Sequence, residues 1–435
     1  MVELVVGVDL GSGSARAIAL DRSGAVHARA TARYEGSHGW PAGRADPRAW
    51  LAAFDKVVTE TGVERPAALA VGGQSPTTVP QHGGMAVTLA HPAGDTLDPH
   101  AQHAAQHAVL RGERDDAPMQ LWDWVLHQLG AARAQGRWPG DPELPGFGPL
   151  APTGRAYGEA DGSHGVAPGT PLVPGAQDAY LAFWAAGIDE PGRALDPGGR
   201  TGGLGVAVAG GARPADMYAL PAAARGVDIV GGPVSAHGRA LEWWSAMTGR
   251  SVEELLALAE QVPPGARGVL ALPYLEGERA PRWNRELRAE LVGLSSATGP
   301  GEVMRALLEG AAYGLAHIAR ALAERGVPTH RVVVGGSPAR SPLWCAIKAA
   351  VLECPVEVPA EPELAAYGAA LAAGAAVGWW PAPGAGAAGD WPRPAMHVVE
   401  PEPLPVYREG FERFVALGDA AVRRLQREGN PCPTR

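Results

Sequence analysis

The stretch VVGVDLGSGSARAIALD, residues 5–21, limits the fold more than any other part of the chain. An apolar run of strand type carries one carboxylate, Asp9, and passes at once through Gly11, Ser12, Gly13 and Ser14 before alternation resumes. Two readings fit these residues. One is a tight β-hairpin with permissive turn residues. The other is a loop whose backbone N–H groups hold phosphate oxygens, with Asp9 near a metal ion. In both, strands are predicted over 3–9, 15–20 and 25–33, the last two joined by the turn DRSG. That is an antiparallel meander, not the strand–loop–helix start of a dinucleotide fold.

The same logic returns later. GGRTGGLGVAVAG is a small-residue turn followed by an apolar strand, and HRVVVGGSPARSPLWCAIKAAVLE reads as strand, Gly-Gly turn, helix. PAALAVGGQSPTT is a strand ending in a glycine-rich loop; TPLVPGAQDAYLAFWAAGI is strand, loop, helix. Helical spacing marks PRAWLAAFDKVVTETG, LWDWVLHQLGAAR, SAHGRALEWWSAMTG, SVEELLALAEQV and the long GEVMRALLEGAAYGLAHIARALAERG, and ELAAYGAALAAGAAVG closes the set. A glycine turn after an apolar strand early in each half predicts two related domains with a cleft between them.

Composition narrows the class. At 435 residues the chain has room for two or three domains, and 46% apolar with 19% charged residues is a globular balance. A net charge of −9 argues against a nucleic-acid partner, and no apolar run is long enough to span a bilayer. Lys56 and Lys348 are the only lysines. Cys345, Cys354 and Cys432 lack metal-ligand spacing, and an odd count with a strand beginning near the N-terminus predicts a cytoplasmic protein.

Neither G-x-x-x-x-G-K-[ST] nor G-x-G-x-x-G is present. Yet three glycine loops in order, Gly11–Ser14, Thr201–Gly203 and Gly335–Ser337, strengthen the phosphate reading. Here the chain resembles the FGGY family of sugar kinases, in the actin/Hsp70/hexokinase-like superfamily, with xylulokinase-like members nearest. The resemblance rests on GVDLGSGSAR, PGAQDAYLAFWAAGI, GGRTGGLGVAV, YLEGERAPRWNRELRAELVGLS, and VVVGGSPARSPLWCAIKAAVLECPVEVP followed by ELAAYGAALAA. It covers about 1–80 and 165–380 and is poor between.

The resemblance implies an α/β fold of two actin-like (ribonuclease H-like) domains, 1–193 and 194–435, with a nucleotide and sugar cleft. It implies ATP and Mg²⁺ as cofactors and phosphorylation of a hydroxyl on a ketopentose or related polyol. Asp9 would sit near the metal. Gly11, Ser12, Gly13 and Ser14 would form the first phosphate loop, followed by Arg16. Thr201 and Gly202 would form the second loop, and Gly335, Gly336, Ser337 and Arg340 would flank the adenosine. Asp178 would be the base; Gln74, Ser75 and Gln177 would contact the sugar. A homodimer is left open.

The residues alone allow Asp178 to be a helix N-cap instead. As a base it would take the proton of an alcohol too weakly acidic to attack unaided. The chain also departs from the family. Ser75-Pro76-Thr77 replaces the Met-His-Gly that follows the Gln of xylulokinases, and the Trp-x-Asp-x-Arg segment is missing. In its place His91, Asp95, Asp98, His100, His103 and His107 crowd together. His103 and His107 share a helical face, read as a solvated polar helix with a metal site as the alternative. Asp95 or Asp98 would substitute for the family's acid. Glu276, Glu278 and Arg279 read as a polar cluster that either bridges loops across the cleft or satisfies itself as an ion-pair network, and Trp243 and Trp244 read as core. The alternatives are a kinase for another polyol or a cyclitol, and a non-catalytic sugar- or nucleotide-binding regulator, which Arg200 inside the second loop would favour.

Overall fold

The strand–acid–turn pattern at the N-terminus folds as a hairpin at the centre of a mixed sheet. The computed structural model describes residues 2–36, 40–41, 43–88, 99–113, 116–211, 214, 216–235 and 237–427. The chain forms two compact units, Met1–Asp189 with Leu220–Val227 and Glu363–Pro394, and Glu190–Ala219 with Asp228–Pro362 and Ala395–Arg435.

In the first unit β1 (Val5–Leu10) pairs antiparallel with β2 (Ser14–Leu20), Asp9 opposite Arg16, and β2 pairs with β3 (Val26–Arg33). On its other side β1 runs parallel to β4 (Leu69–Gly73), which runs parallel to β5 (Pro171–Gln177). Helix α1 (Pro47–Glu60) starts on the Asp46 cap, whose carboxylate accepts the Arg48 N–H, and buries Trp50, Phe54 and Val57. Two further helices, α2 (Pro99–Glu113) and α3 (Leu121–Gln128), occupy the stretch with the weakest sequence signal. Helix α4 (Asp178–Ala185) follows β5 directly. The expected loop before Asp178 is therefore strand, with a register shift between Pro174 and Gln177. Gly175 permits it: a Cβ there would stand 2.5 Å from the Val71 carbonyl oxygen.

The second unit repeats the pattern. β6 (Arg193–Asp196) pairs antiparallel with β7 (Gly203–Ala209) and, on its other side, parallel with β9 (Arg331–Val334). β8 (Val227–Pro233), β7, β6, β9, β10 (Val356–Pro359) and β11 (Met396–Val399) lie in that order across the sheet. Helices α5 (Gly238–Thr248), α6 (Val252–Glu260), α7 (Pro300–Ala323), α8 (Pro342–Leu352) and α9 (Pro405–Arg427) complete the unit. Helix α9 was not expected. It sets Tyr407, Phe414 and Ala421 against Leu272, Tyr274 and Tyr313, and its readable sign was aromatic and apolar residues returning every three or four positions.

The compact units do not follow a single cut at 193/194: the first break falls at 189/190, and the stretches Leu220–Val227 and Glu363–Pro394 both pack in the first unit. Residues 363–394 pack in the first unit, not with the C-terminal domain. Their helix, Leu364–Ala376, is alanine- and glycine-rich and buried along most of its length. It lies backbone to backbone on β1 and α4. A Cβ on Gly7 would come within 2.0 Å of Ala370 N, and one on Gly368 within 2.1 Å of the Leu181 carbonyl oxygen. The crowding of His residues proves different from expectation too. His103 is 3% exposed, with Gln102 and Gln106 also buried, so α2 is not simply a solvated polar helix. His91, Asp95 and Asp98 lie outside the described residues, as do the His100 side chain and Cys432. No group of three metal-ligating side chains occurs among the described residues, and no helix among them is long and apolar enough to cross a membrane.

Overpacking a close contact ordinarily costs about 1–3 kcal/mol, and at Gly7 the obstruction is backbone, which cannot rotate away. Gly7→Ala is expected to lower the unfolding free energy measured by urea titration by at least that upper figure. Gly112→Ala, which meets no heavy atom within 4 Å, is expected to leave it unchanged or raise it slightly.

Candidate active site

Three parallel strands of the first unit end together. Leu10 of β1 aligns with Gly73 of β4, and Gly73 with Gln177 of β5. The chemistry-bearing residues therefore gather at one sheet edge: Asp9 and the glycine-serine turn after β1, Gln74 and Ser75 after β4, Gln177 and Asp178 at the end of β5. Carboxyl ends of parallel strands are where open α/β sheets bind ligands. The Gln74 N–H donates to the Leu10 carbonyl at 2.9 Å, tying two of the strand ends together.

The first turn is tight. The Gly11 N–H donates to the Ser14 carbonyl at 3.2 Å, Tyr34 Oη donates to the Gly11 carbonyl at 2.9 Å, and Ser12 and Gly13 form the exposed tip. Asp9 is 3% exposed. Its Oδ2 lies 3.4 Å from Arg16 Nη1, while Arg16 Nε is held 2.8 Å from Glu363 Oε2. Asp9 Oδ1 has no hydrogen-bond partner. Burial pushes the Asp9 carboxyl up to about 7 against the pull of Arg16, with Asp178 and Glu363 adding to the rise. Asp178 is the first helical residue of α4, and Gln177 is the cap position. Its Oδ1 accepts only the Ala179 N–H next to it, at 2.7 Å, so it does not cap the helix from the flanking position. Burial raises it to about 6, opposed by that N–H and by Arg16.

The second unit holds a counterpart hairpin with a different charge balance. Asp196 ends β6 as Asp9 ends β1, and its Oδ1 accepts the Gly198 N–H at 3.0 Å. Lys348 Nζ donates to Asp196 Oδ2 at 2.5 Å and lies 3.1 Å from His237 Nε2; all three side chains are inaccessible to solvent. The lysine sits 4.4 Å from the centre of the Trp344 ring, on which His237 also stacks. Burial would raise Asp196, but Lys348 and His237 overcome it and hold the carboxyl well below the usual range. Gly202 makes room for this cluster: a Cβ there would stand 2.6 Å from His237 Nδ1. Thr201 is exposed above it.

Arg200 does not fill the second loop; its Nε donates to Glu242 at 2.9 Å. The Gly335 and Gly336 N–H groups are satisfied within the unit, by the Asp196 and Pro362 carbonyls at 2.8 Å each. Any role of theirs toward a ligand is one of shape. Ser337 and Arg340 are exposed. Glu278 accepts the Ser235 and Arg279 backbone N–H groups at 3.0 and 2.6 Å, Arg279 Nη2 donates to the Val234 carbonyl at 2.9 Å, and Glu276 pairs with Arg239, so these residues form no ion-pair network among themselves, the second of the two arrangements read from sequence. Trp243 and Trp244 are half-buried against the helical core.

Sequence reasoning gave no role to Glu363, Tyr34, Asp196, His237 or Lys348. Two signals were readable. LDPGGRTGG repeats the acid-then-small-residue order of VDLGSGS, and Lys348 is one of only two lysines.

The sequence signature described as the FGGY family of carbohydrate kinases, C-terminal domain, matches residues 212–377. The chain is 36% identical over 152 residues to a glycerol kinase of Gloeobacter violaceus, covering 34% of this chain and 30% of that protein. It is 31% identical over 227 residues to a gluconokinase of Bacillus licheniformis, covering 48% of this chain and 43% of that protein. The matched stretches thus span less than half the length of either relative. In three dimensions the chain is similar to the ligand-bound xylulose kinase from Lactobacillus acidophilus, with a TM-score of 0.79 at 17% identity over 97% of this chain and 98% of that one.

Removing one partner of a buried ion pair typically costs about 3–5 kcal/mol. Lys348→Met is therefore expected to lower the unfolding free energy measured by denaturant titration by that order. Combining it with Asp196→Asn is expected to recover much of the loss. A double variant as unstable as the sum of the singles would show that the pair is not the source.

Proposed function

We propose that this chain, a member of the FGGY family of carbohydrate kinases, transfers the γ-phosphoryl group of ATP to a hydroxyl of a small sugar or polyol, in the manner of a xylulokinase. The observation that carries this reading is the convergence of Asp9, Gln74 and Asp178 at the carboxyl ends of three adjacent strands, beside a tight glycine-serine turn.

In this reading Asp178 is the general base. Its elevated pKa makes it a stronger proton acceptor than an ordinary aspartate, yet leaves it ionised at pH 7. Gln74, Ser75 and Gln177 orient the acceptor. Gly11, Ser12, Gly13 and Ser14 approach the phosphates through backbone N–H groups, and Arg16, braced by Glu363, brings positive charge beside them. Thr201 and Gly202 form the second phosphate loop, and Gly335, Gly336, Ser337 and Arg340 border the adenosine. Arg200 is engaged by Glu242 rather than lying across that loop.

A divalent cation fits the site. Asp9 Oδ1 is a buried carboxylate oxygen without a partner, and one carboxylate with phosphate oxygens and waters is an ordinary Mg²⁺ environment. When bound, Mg²⁺ would neutralise charge on the phosphates. Asp9 would hold it, Arg16 would limit the net charge around it, and Asp178 would remain the proton acceptor. The buried, unbridged Cys345 and Cys354 suit a reducing cytoplasm.

Asp178→Asn is expected to lower kcat by about a hundred- to ten-thousand-fold while ADP binding by calorimetry stays near wild type. Turnover near wild type would remove Asp178 from the mechanism. The base acts only when ionised, so kcat/KM should fall as pH drops through about 6, the value to which burial raises Asp178. An acid limb near 4 would mean an unperturbed carboxylate. Asp9→Asn is expected to shift the Mg²⁺ dependence to higher concentration; superimposable Mg²⁺ titrations would take Asp9 out of the metal site.

A further inference from the structure

Three segments of the second unit meet at one buried cluster. Asp196 ends β6, and the chain then runs through Gly198, Gly199, Arg200, Thr201 and Gly202 into β7. The start of α5 takes up carbonyls of that loop. The His237 and Arg239 N–H groups donate to the Arg200 carbonyl at 3.1 and 3.0 Å, and the Gly238 N–H donates to the Gly199 carbonyl at 3.1 Å. A trans peptide points its C=O and N–H in opposite directions, so the N–H groups of Arg200 and Thr201 are turned away from α5. The third glycine turn is fixed to the same strand end, because the Gly335 N–H donates to the Asp196 carbonyl at 2.8 Å. It also packs on the loop: a Cβ on Gly198 would stand 2.3 Å from the Gly335 carbonyl oxygen.

Side chains fill the space beneath the loop. Lys348 Nζ, brought by α8, donates to Asp196 Oδ2 at 2.5 Å and lies 3.1 Å from His237 Nε2. The other Asp196 oxygen accepts the Gly198 N–H at 3.0 Å, so one carboxylate is shared between the lysine and the loop. Lys348 and His237 keep that carboxylate ionised against its burial, and an ionised acceptor holds an N–H more strongly than a neutral one. The His237 ring stacks on Trp344 with 4.5 Å between centroids and stands against Gly202, where a Cβ would come within 2.6 Å of Nδ1. The Lys348, Asp196 and His237 side chains are inaccessible to solvent. They act on a ligand only through the backbone they fix.

We infer that Lys348, Asp196 and His237 are positioning residues for the nucleotide: together they set the height and tilt of the 198–202 loop, and with it the N–H groups offered to the phosphates. The inference rests on the kinase reading above and deepens it. Two supports carry the loop, the Asp196 carboxylate under Gly198 and the His237 ring under Gly202, and Lys348 holds both. Without the lysine, Asp196 has only His237 to answer its charge, 3.4 Å away. Carboxylate and ring must then move toward each other, and Gly198 and Gly202 move with them.

The test is calorimetric titration of the full chain with ADP and Mg²⁺, at a temperature where circular dichroism shows each variant folded. Lys348→Met and His237→Ala are each expected to weaken ADP binding by about ten- to a hundred-fold, the scale on which a small misplacement acts. Lys348→Met combined with Asp196→Asn should bind ADP within about fivefold of wild type, because a neutral pair leaves no unanswered charge and the amide oxygen can still accept from Gly198. Arg305→Met is the control. It breaks a comparable buried pair in the same unit, with Glu309 at 2.8 Å, and its other partners are the Val262 carbonyl and Tyr407, none of them in a glycine loop. Its ADP affinity should stay within about twofold of wild type. His237→Ala leaves the Lys348–Asp196 pair in place and carries the test if Lys348→Met does not fold. Folded Lys348→Met and His237→Ala chains with wild-type ADP affinity would make the cluster purely structural. An equal loss in Arg305→Met would mean a general softening of the unit, and a double variant no better than Lys348→Met would separate the loop from the charge balance. Each of these overturns the inference while the kinase reading stands. A wild-type chain that binds no ADP overturns both.

Discussion

Burying a carboxylate at the end of a central strand is the constraint around which this molecule is arranged. An isolated buried charge is expensive, so each unit must answer the acid that ends its first hairpin, and the two do so differently. Asp196 is closed off. Lys348, His237 and the Gly198 N–H use its oxygens, and the cluster is dry on all sides. Asp9 is buried but only half answered, with Arg16 at 3.4 Å on one oxygen and no hydrogen-bond partner on the other. One carboxylate is fully paired, and the other keeps a buried oxygen without a hydrogen-bond partner. The same hairpin architecture thus yields two chemistries, set by what the packed helices bring beneath it.

That difference has a physical origin in the helices. The helix Leu364–Ala376 is alanine and glycine at all but Leu364, Tyr367 and Leu371, so it approaches β1 closely, and Glu363 at its start reaches the site through Arg16. Helix α8 instead carries Lys348 and Trp344 on its inner face, and they fill the space under the second loop. Small side chains give contact without charge; a lysine gives charge but needs a buried partner. Through Gly202 and Gly198, the second loop is shaped by that cluster rather than by its own turn residues.

The acceptor pocket follows a similar economy. The chain lacks the charged or imidazole side chains expected after Gln74, and the loop there is Ser75-Pro76-Thr77. The polarity returns from α2, where His103 and Gln106 are buried against that loop. The polar groups that meet this loop come from the helix behind it: Gln106 bonds the Pro76 carbonyl and the Thr78 hydroxyl, and His103 lies within hydrogen-bond distance of Ser75 and Thr78. Nothing in the spacing of the His-rich segment announces this, because a polar helix face reads alike whether water or a loop hydroxyl covers it.

The sequence by itself determined the parts that are local. Alternation and small-residue turns placed β1, β2 and β3 within a residue or two, the apolar spacing placed α1 and α7, and Asp9 stood out because it interrupts an apolar run, while Gln74 and Asp178 were singled out by the resemblance to FGGY kinases. Only the tertiary structure decided what faces those residues. It brought Glu363 to Arg16 across some 350 positions of chain, returned residues 363–394 to the first unit, buried His103, and set Lys348 against Asp196. The reason is one of range. Periodicity and turn chemistry act over a few residues and are written in order along the chain. The partner of a buried charge is chosen by sheet register and helix packing, which join residues whose spacing in sequence carries no period at all.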